Sequence, residues 1–435
     1  VRDGRLRRRV LDVYSAAASD WRAAPSTIAR AQREARDLHS RERRFLGEAI
    51  FALVRWRRRL AFVAQGTDDA PPLVLYLAWL ASEEGPYAPF SVGRTAARAE
   101  AKAQGIDLGR LSDEAGAIAR IVDPVARLGV AQSVPDWLAR RFLDELGAAE
   151  AASLLAAMNR RAPLTVRANR LKIDRDGLVA RLASEGVVAK PVPLAPDALT
   201  LETHLNAYGL GAFRDGLFEV QDAGSQLIAE VVAPPPRGAV VDACAGAGGK
   251  TLALGALLGN RGRLVALDVS ARKLGELRDR ARRAGLTNVR ALVVDEAATT
   301  AALAALGLPP ADRVLCDAPC SGLGVLRRNP EARWRLTPAD LDELPPLQRA
   351  ILDRYATLVG DGGRLIYATC TVLRAENDDV VDGFLRDHPG WEEVPLKEIV
   401  GGARAALLGD GHRLRLLPHA HDTDGFFAAV MRRRR

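Results

Sequence analysis

The C-terminal half of this 435-residue chain predicts an α/β fold built on a doubly wound, mostly parallel sheet. Two observations carry that prediction. From Gln221 onward, apolar runs of strand length alternate with stretches of helical character, the pattern of successive βα units. The runs also finish on acids and cysteines, and sheets of this kind bind ligands just beyond the carboxyl ends of their strands. Two smaller parts precede them. Residues 1–130 read as an all-helical domain and 131–220 as a small α+β module, which leaves 221–435 for the sheet. A chain of this length has room for two or three separate cores.

In the first part, Phe45, Leu46, Ala49, Ile50, Leu53, Val54 and Leu60 recur at helical steps behind Ser40, which suits an N-cap. Arg55, Arg57, Arg58 and Arg59 surround Trp56 on that helix. Two readings stand: a solvated face, or a surface whose guanidiniums grip phosphate oxygens. Alanine-rich helical sequence continues through 73–80 and 97–121, with breaks at Pro71-Pro72 and Gly85-Pro86.

The second part mixes patterns. Pro135-Asp136-Trp137-Leu138 opens a helix carrying Leu138, Phe142, Leu143 and Leu146; 164–169 alternates like a strand; 176–185 reads as a helix. Glycine turns and a short strand fill 209–220. Such a module suits positioning a substrate better than carrying out chemistry.

In the third part, strands are predicted at 239–244, 263–268, 288–295, 313–317 and 363–370. Ala245-Gly246-Ala247-Gly248-Gly249-Lys250-Thr251 turns from the first into a helix that runs to 258. Its glycines let the backbone turn sharply and approach a ligand, and Asp268, about 20 residues on, can accept from both hydroxyls of a ribose. A dinucleotide and S-adenosylmethionine satisfy that arrangement equally. A nucleoside-triphosphate loop does not, because GxxxxGK[ST] needs a glycine five positions before Gly249, where Cys244 stands. Asp295 reads either as a contact to an adenine amino group or as a simple strand-end cap.

The net charge of +8 is a modest footprint for a polyanion partner, and an arginine-rich composition accounts for part of it. No run approaches the roughly 18 uninterrupted apolar residues of a membrane span. The opening Val1-Arg2-Asp3-Gly4-Arg5 shows no secretory pattern. The expectation is a cytoplasmic monomer with no membrane association, whose cysteines 244, 316, 320 and 370 are free thiols. No metal is expected: Cys316 and Cys320 each close an apolar run, and there is no CxxC.

The stretch Val314-Leu315-Cys316-Asp317-Ala318-Pro319-Cys320-Ser321-Gly322-Leu323-Gly324 carries a carboxylate and a thiol on a glycine-rich loop. These are reagents for attacking an electron-poor ring. With Asp242-Ala-Cys-Ala-Gly-Ala-Gly-Gly-Lys250-Thr and Tyr367-Ala-Thr-Cys370-Thr, it resembles the RsmB/Sun family of RNA cytosine-5 methyltransferases. Val166-Arg167-Ala168-Asn169, Gln221-Asp222-Ala223-Gly224-Ser225, Arg327-Arg328-Asn329-Pro330 and Thr423-Asp424-Gly425-Phe426-Phe427 support the likeness. The helical N-terminal part resembles, on weaker motifs, the NusB-like RNA-binding domain of bacterial members.

The resemblance implies a Rossmann-like S-adenosylmethionine-dependent methyltransferase domain that acts on RNA, above all 16S rRNA. It implies that S-adenosyl-L-methionine is held by Cys244, Ala245, Gly246, Ala247, Gly248, Gly249, Lys250, Asp268, Asp295 and Asp317. The family loop usually reads Cys-Ala-Ala-Pro-Gly-Gly-Lys; here Gly246-Ala247 replaces Ala-Pro, so a less preorganised loop is expected. Cysteine chemistry follows from the reaction itself. Cytosine C5 is a poor nucleophile until a thiolate adds to C6, which is covalent catalysis. The attack builds charge towards N3 and O2, where a protonated carboxyl or a lysine would help, which suits Asp317 and Lys250. The resemblance makes Cys370 the nucleophile and Cys320 the thiol that assists product release; Cys244 and Cys316 read chiefly as packing residues. Other readings are a methyltransferase for tRNA or another rRNA, a DNA cytosine-5 methyltransferase, and a non-catalytic RNA-binding or ribosome-assembly factor.

Overall fold

The structure, a computed structural model, describes residues 4–82, 94–202, 206–295 and 303–434; the Gly85-Pro86 break lies outside them. The chain forms two compact units. One comprises Val1–Arg161 with Leu326–Pro338, the other Ala162–Val325 with Ala339–Arg435.

The first unit is helical and is built around the helix Ser40–Gln65. Leu46, Ala49, Ile50, Leu53, Val54 and Leu60 are buried on it, as their three- and four-residue spacing requires. Its N-cap is His39, one residue before the one expected. The Glu42 carboxylate accepts from the His39 N–H at 2.8 Å, so the acid at the third position satisfies an orphan donor and places the start of the helix. The arginines that follow serve the unit's own interior. Arg58 is buried and bonded to Asp68, Asp136 and the Val134 carbonyl. Arg59 grips Glu114 at 2.9 Å, Arg57 pairs with Asp69 at 2.6 Å, and Arg55 donates to the Arg327 carbonyl.

Two features of this unit differ from the expected division. The helix Asp136–Met158, placed by sequence in the second part, packs here, with Leu138 and Phe142 wholly buried. Residues 326–338, which lie in sequence between two strands of the second unit, also complete this unit. Arg333, fully buried, donates to the carbonyls of Arg55, Gln132 and Ser133 and to Asn159 Oδ1, the last at 2.8 Å. Trp334 Nε1 donates to the Val54 carbonyl at 2.7 Å. Gln132 and Ser133 end the helix Pro124–Gln132, so their carbonyls are among those a helix end leaves without partners; Arg55 and Val54 lie within the helix Ser40–Gln65.

The second unit contains two sheets. The smaller holds β1 (Leu164–Ala168), β2 (Ala189–Pro191), β3 (Ala198–Leu201) and β4 (Phe218–Val220), in the antiparallel order β2-β3-β1-β4, with the helix Arg175–Ser184 packed on it. The larger contains β5 (Ala239–Asp242), β6 (Arg263–Asp268), β7 (Val289–Val293), β8 (Ala311–Asp317), β9 (Val359–Thr369), β10 (Trp391–Glu393), β11 (Leu414–Leu416) and β12 (Phe426–Arg433). Its order is β10-β12-β9-β8-β5-β6-β7, with β11 on β12. Strands β5 to β9 are parallel, and β12 closes antiparallel on β9. β5 lies between β6 and β8, so the winding reverses there, and the carboxyl ends beside β5 are the expected ligand crevice. The antiparallel addition of β10, β11 and β12 was not visible as alternation with helices. Among the described residues no helix is long and apolar enough to cross a membrane.

Candidate active site

The carboxyl ends of β5, β8 and β9 carry Lys250, Asp317, Cys320 and Cys370, whereas Asp268 and Asp295 lie at the ends of β6 and β7. β8 and β9 are parallel neighbours, with Asp317 opposite Ala368. The loops that follow them therefore leave the sheet side by side, which brings together residues fifty positions apart. Cys320 Sγ lies 3.4 Å from Cys370 Sγ, and both are free thiols. The hydrogen bond to Cys370, with burial, pushes the Cys320 thiol well above its ordinary range. Either sulfur can be the S–H donor of the pair.

Lys250, in the first turn of the helix Gly249–Leu257, donates to Asp317 Oδ2 at 2.7 Å. Its ammonium also lies 5.4 Å from the centre of the Phe426 ring, within cation–π range. Burial pulls the ammonium's pKa down, but the charge and hydrogen bond of Asp317, then Cys370 and Asp242, reverse this and leave it raised. Lys250 and Asp317 form an ion pair at 2.7 Å.

The glycine loop follows β5. Gly246 and Gly248 take positive φ, 55° and 87°, a region closed to most side chains. A Cβ on Gly246 would meet nothing within 4 Å, so the loop leaves open space there. Asp268, at the end of β6, accepts from the backbone N–H of Gly246 and of Ser270, both at 2.8 Å. Those bonds hold the carboxylate at the loop's mouth. Asp295 is exposed just beyond β7, where the Val294 N–H donates to the Asp268 carbonyl. Ala247, which departs from the family pattern, has its carbonyl held by Arg280 Nη1 at 2.6 Å. Arg280 in turn pairs at 3.0 Å with Glu219, a buried acid of β4 that Arg283 also reaches.

Cys244 and Cys316 stand apart from the thiol pair. Cys316 is fully buried on β8, and burial drives its thiol well up; burial and then Asp242 do the same to Cys244. Neither forms a reactive thiolate there. Asp242, also buried, accepts from Thr251 Oγ1 at 2.6 Å, and burial raises its pKa to about 7.

Sequence reasoning missed the layer beneath the thiols. Ser321 and Thr371, each the residue after a cysteine, both bond to the buried Glu376. Gln348 reaches the same carboxylate. A hydroxyl after each thiol was the one visible signal; an acid several positions on had none.

Comparison with known proteins adds the lineage. Residues 229–432 match the family described as 16S rRNA methyltransferase RsmB/F, and 134–207 match the RsmF/B-like, ferredoxin-like domain. The Bacillus subtilis protein named "Probable ribosomal RNA small subunit methyltransferase B" is 37% identical over 316 residues, 72% of this chain and 69% of that one. Among solved structures, that of PH0851 covers 98% of both chains with a TM-score of 0.76 at 26% identity. A methyltransferase homologue from Pyrococcus horikoshii covers 72% of this chain and 100% of its own, with a TM-score of 0.61 at 28% identity. On the strength of its fold, its strand-end motifs and these likenesses, this chain belongs to the RsmB/F family of 16S rRNA methyltransferases.

Proposed function

We propose that this protein methylates C5 of a cytosine in small-subunit rRNA in the cytoplasm, through a covalent bond between Cys370 and C6. The single observation that carries the reading is the thiol pair, with sulfurs 3.4 Å apart, beside a half-buried lysine paired with Asp317 at 2.7 Å. A packing role would need neither the second thiol nor the cation.

The cofactor is S-adenosylmethionine. The residues present fit it: open space over Gly246, and an Asp268 carboxylate anchored at the mouth of the loop with lone pairs left for ribose hydroxyls. Cys244 to Lys250 would line it, with Asp295 towards the base. When bound, it supplies the electrophilic methyl group that C5 takes.

The chain's own residues do the rest. Cys370 attacks as a thiolate, stabilised by the Cys320 S–H and by the Lys250 ammonium. Its sulfur forms a bond to C6, and the C5–C6 π electrons move into the ring. Lys250, oriented by Asp317, stabilises charge developing towards N3 and O2 in a crevice where water competes poorly. After methylation C5 gives its proton to water, the C5–H electrons re-form the C5–C6 double bond, and the Cys370–C6 bond breaks with its electrons returning to sulfur. Cys320, the protonated neighbour, assists that departure. The target base leaves its stack to reach this crevice, and the antiparallel module and helical unit serve as RNA-holding parts.

The test is methyl transfer from labelled S-adenosylmethionine to rRNA, tRNA and DNA. Cys370→Ser should abolish turnover without a trapped adduct; Cys320→Ser should accumulate a covalent protein–RNA complex. An adduct trapped by Cys370→Ser would reverse the two roles, and a wild type that prefers DNA or tRNA would overturn the substrate.

A further inference from the structure

The loops that carry the two thiols are tied to one buried acid. Glu376, 1% exposed, ends the short turn Arg374–Glu376 that follows β9. Its Oε2 accepts from the Ser321 backbone N–H at 2.8 Å and from Gln348 Nε2 at 2.9 Å. Its Oε1 accepts from Ser321 Oγ at 2.5 Å and from Thr371 Oγ1 at 3.0 Å. Ser321 directly follows Cys320, and Thr371 directly follows Cys370.

Further bonds tie the two loops together. Gln348 also donates to the Pro319 carbonyl, on the other side of Cys320, at 3.0 Å. The Gly324 N–H donates to the Cys370 carbonyl at 2.9 Å. Tyr367 Oη donates to Glu376's own carbonyl at 2.6 Å. Four hydrogen bonds take the place of a countercation, as a buried carboxylate demands. An acid at this depth is a costly way to fill space. An apolar residue of the same volume would pack there without desolvation, but could not grip two hydroxyls and two N–H groups from separate loops.

We propose that Glu376 is the positioning residue of the two-thiol site, a buried carboxylate that joins the residues following Cys320 and Cys370 and thereby sets the distance between the sulfurs. Glu376 touches neither sulfur in this role and acts through Ser321 and Thr371. Its negative charge also contributes to keeping Cys320 protonated. The inference rests on the catalytic assignment of the two cysteines, but the distance it explains can be measured without it.

Two variants of the full chain, Glu376→Gln and Glu376→Ala, test the proposal. The glutamine amide can face the two hydroxyls, which rotate to accept from it, while its oxygen keeps the Ser321 N–H. Glu376→Gln should therefore retain most of the geometry. Glu376→Ala releases both loops. The direct probe is phenylarsine oxide, whose arsenic needs two thiols within its span; Cys320→Ser defines the part of its binding that depends on the pair. Glu376→Ala should weaken that binding about tenfold, as the second thiol loses effective concentration. The same variant should lower kcat for rRNA methylation about 10²-fold, the scale of a misplacement of roughly 1 Å. Affinity for sinefungin, a cofactor analogue, should stay within about twofold in both variants, and Glu376→Gln should fall between alanine and wild type in the other two measurements. A Glu376→Ala protein that binds sinefungin normally and keeps wild-type arsenical affinity and kcat would overturn the proposal. Should the alanine variant not fold, the glutamine variant decides in the same way: arsenical affinity and kcat both at wild-type values reject it. Should wild type transfer no methyl to any RNA, the functional reading falls, and the arsenical series alone still judges Glu376.

Discussion

Asp242 makes stability depend on pH in a direction opposite to that of most carboxylates. It ends β5 with 1% exposure. Its Oδ2 accepts from Thr251 Oγ1 at 2.6 Å, while its Oδ1 is buried with no partner. Burial outweighs the Thr251 bond and raises the pKa from 3.8 to about 7. A raised carboxyl binds its proton more tightly in the folded chain than in the unfolded one. The stabilisation is fully present below pH 4 and is lost as pH rises through 7. The shift is about 3 units at 1.36 kcal/mol each, so close to 4 kcal/mol disappears across that window. The loss runs at about 1.4 kcal/mol per pH unit and levels off above pH 8.

Asp242→Asn removes the titration and keeps the shape. The amide oxygen can still accept from Thr251, but the amide nitrogen takes the partnerless position and costs about 1–3 kcal/mol. The variant should be the less stable protein at pH 5 and the more stable one at pH 8.5. Urea unfolding at both values, on wild type and variant, measures the difference of differences. Parallel stability curves for the two proteins between pH 5 and 8.5 would refute the reasoning.

Three further outcomes follow from the site. Lys250→Met removes the cation and leaves Asp317 without that partner, and should lower kcat for methyl transfer by about 10²–10³-fold; a loss below about threefold would exclude Lys250 from charge stabilisation. Gly248→Ala puts a methyl group 2.6 Å from Leu277 Cγ at a φ of +87°, and should cost about 1–3 kcal/mol in urea unfolding. Gly249→Ala meets only Gln221 Nε2 at 3.8 Å and begins a helix, so it should be neutral or gain up to about 0.5 kcal/mol.

What the sequence made legible was what repeats or what sits at the end of a run. Asp268, Asp317 and Cys370 stand at or just past strand ends because a parallel sheet exposes its carboxyl edge, and an apolar run shows where that edge lies. The convergence of Cys320 and Cys370 was readable once both were seen as strand-end residues of one sheet. Arg55 to Arg59 kept two meanings, because a guanidinium over four carbons looks the same whether it meets a phosphate or Asp68. Only the tertiary fold supplies Asp68, Asp69, Asp136 and Glu114 as partners. Glu376 was invisible for a related reason. A buried acid is defined by the donors that surround it, and Ser321 and Gln348 lie 55 and 28 residues away. The boundary drawn at residue 130 failed to anticipate where the helix Asp136–Met158 packs. Its opening at Pro135 is a local signal, whereas the helix it packs on, Pro124–Gln132, straddles the drawn boundary.

The placement of residues 326–338 within the helical unit has a consequence for birth on the ribosome. Once Arg161 has been made, the helical unit still lacks Arg333 and Trp334 and the hydrogen bonds they donate to it. Synthesis through Pro338 requires 177 more residues, the difference between those two positions. At about 5–20 residues per second that interval is roughly 10–35 s. During it the nascent helices wait with an open seam, a ready target for chaperones. The sheet core cannot finish without β9 and β12, which come later still. The helical unit is therefore completed only after residues 326–338 are made, although the rest of it precedes residue 162.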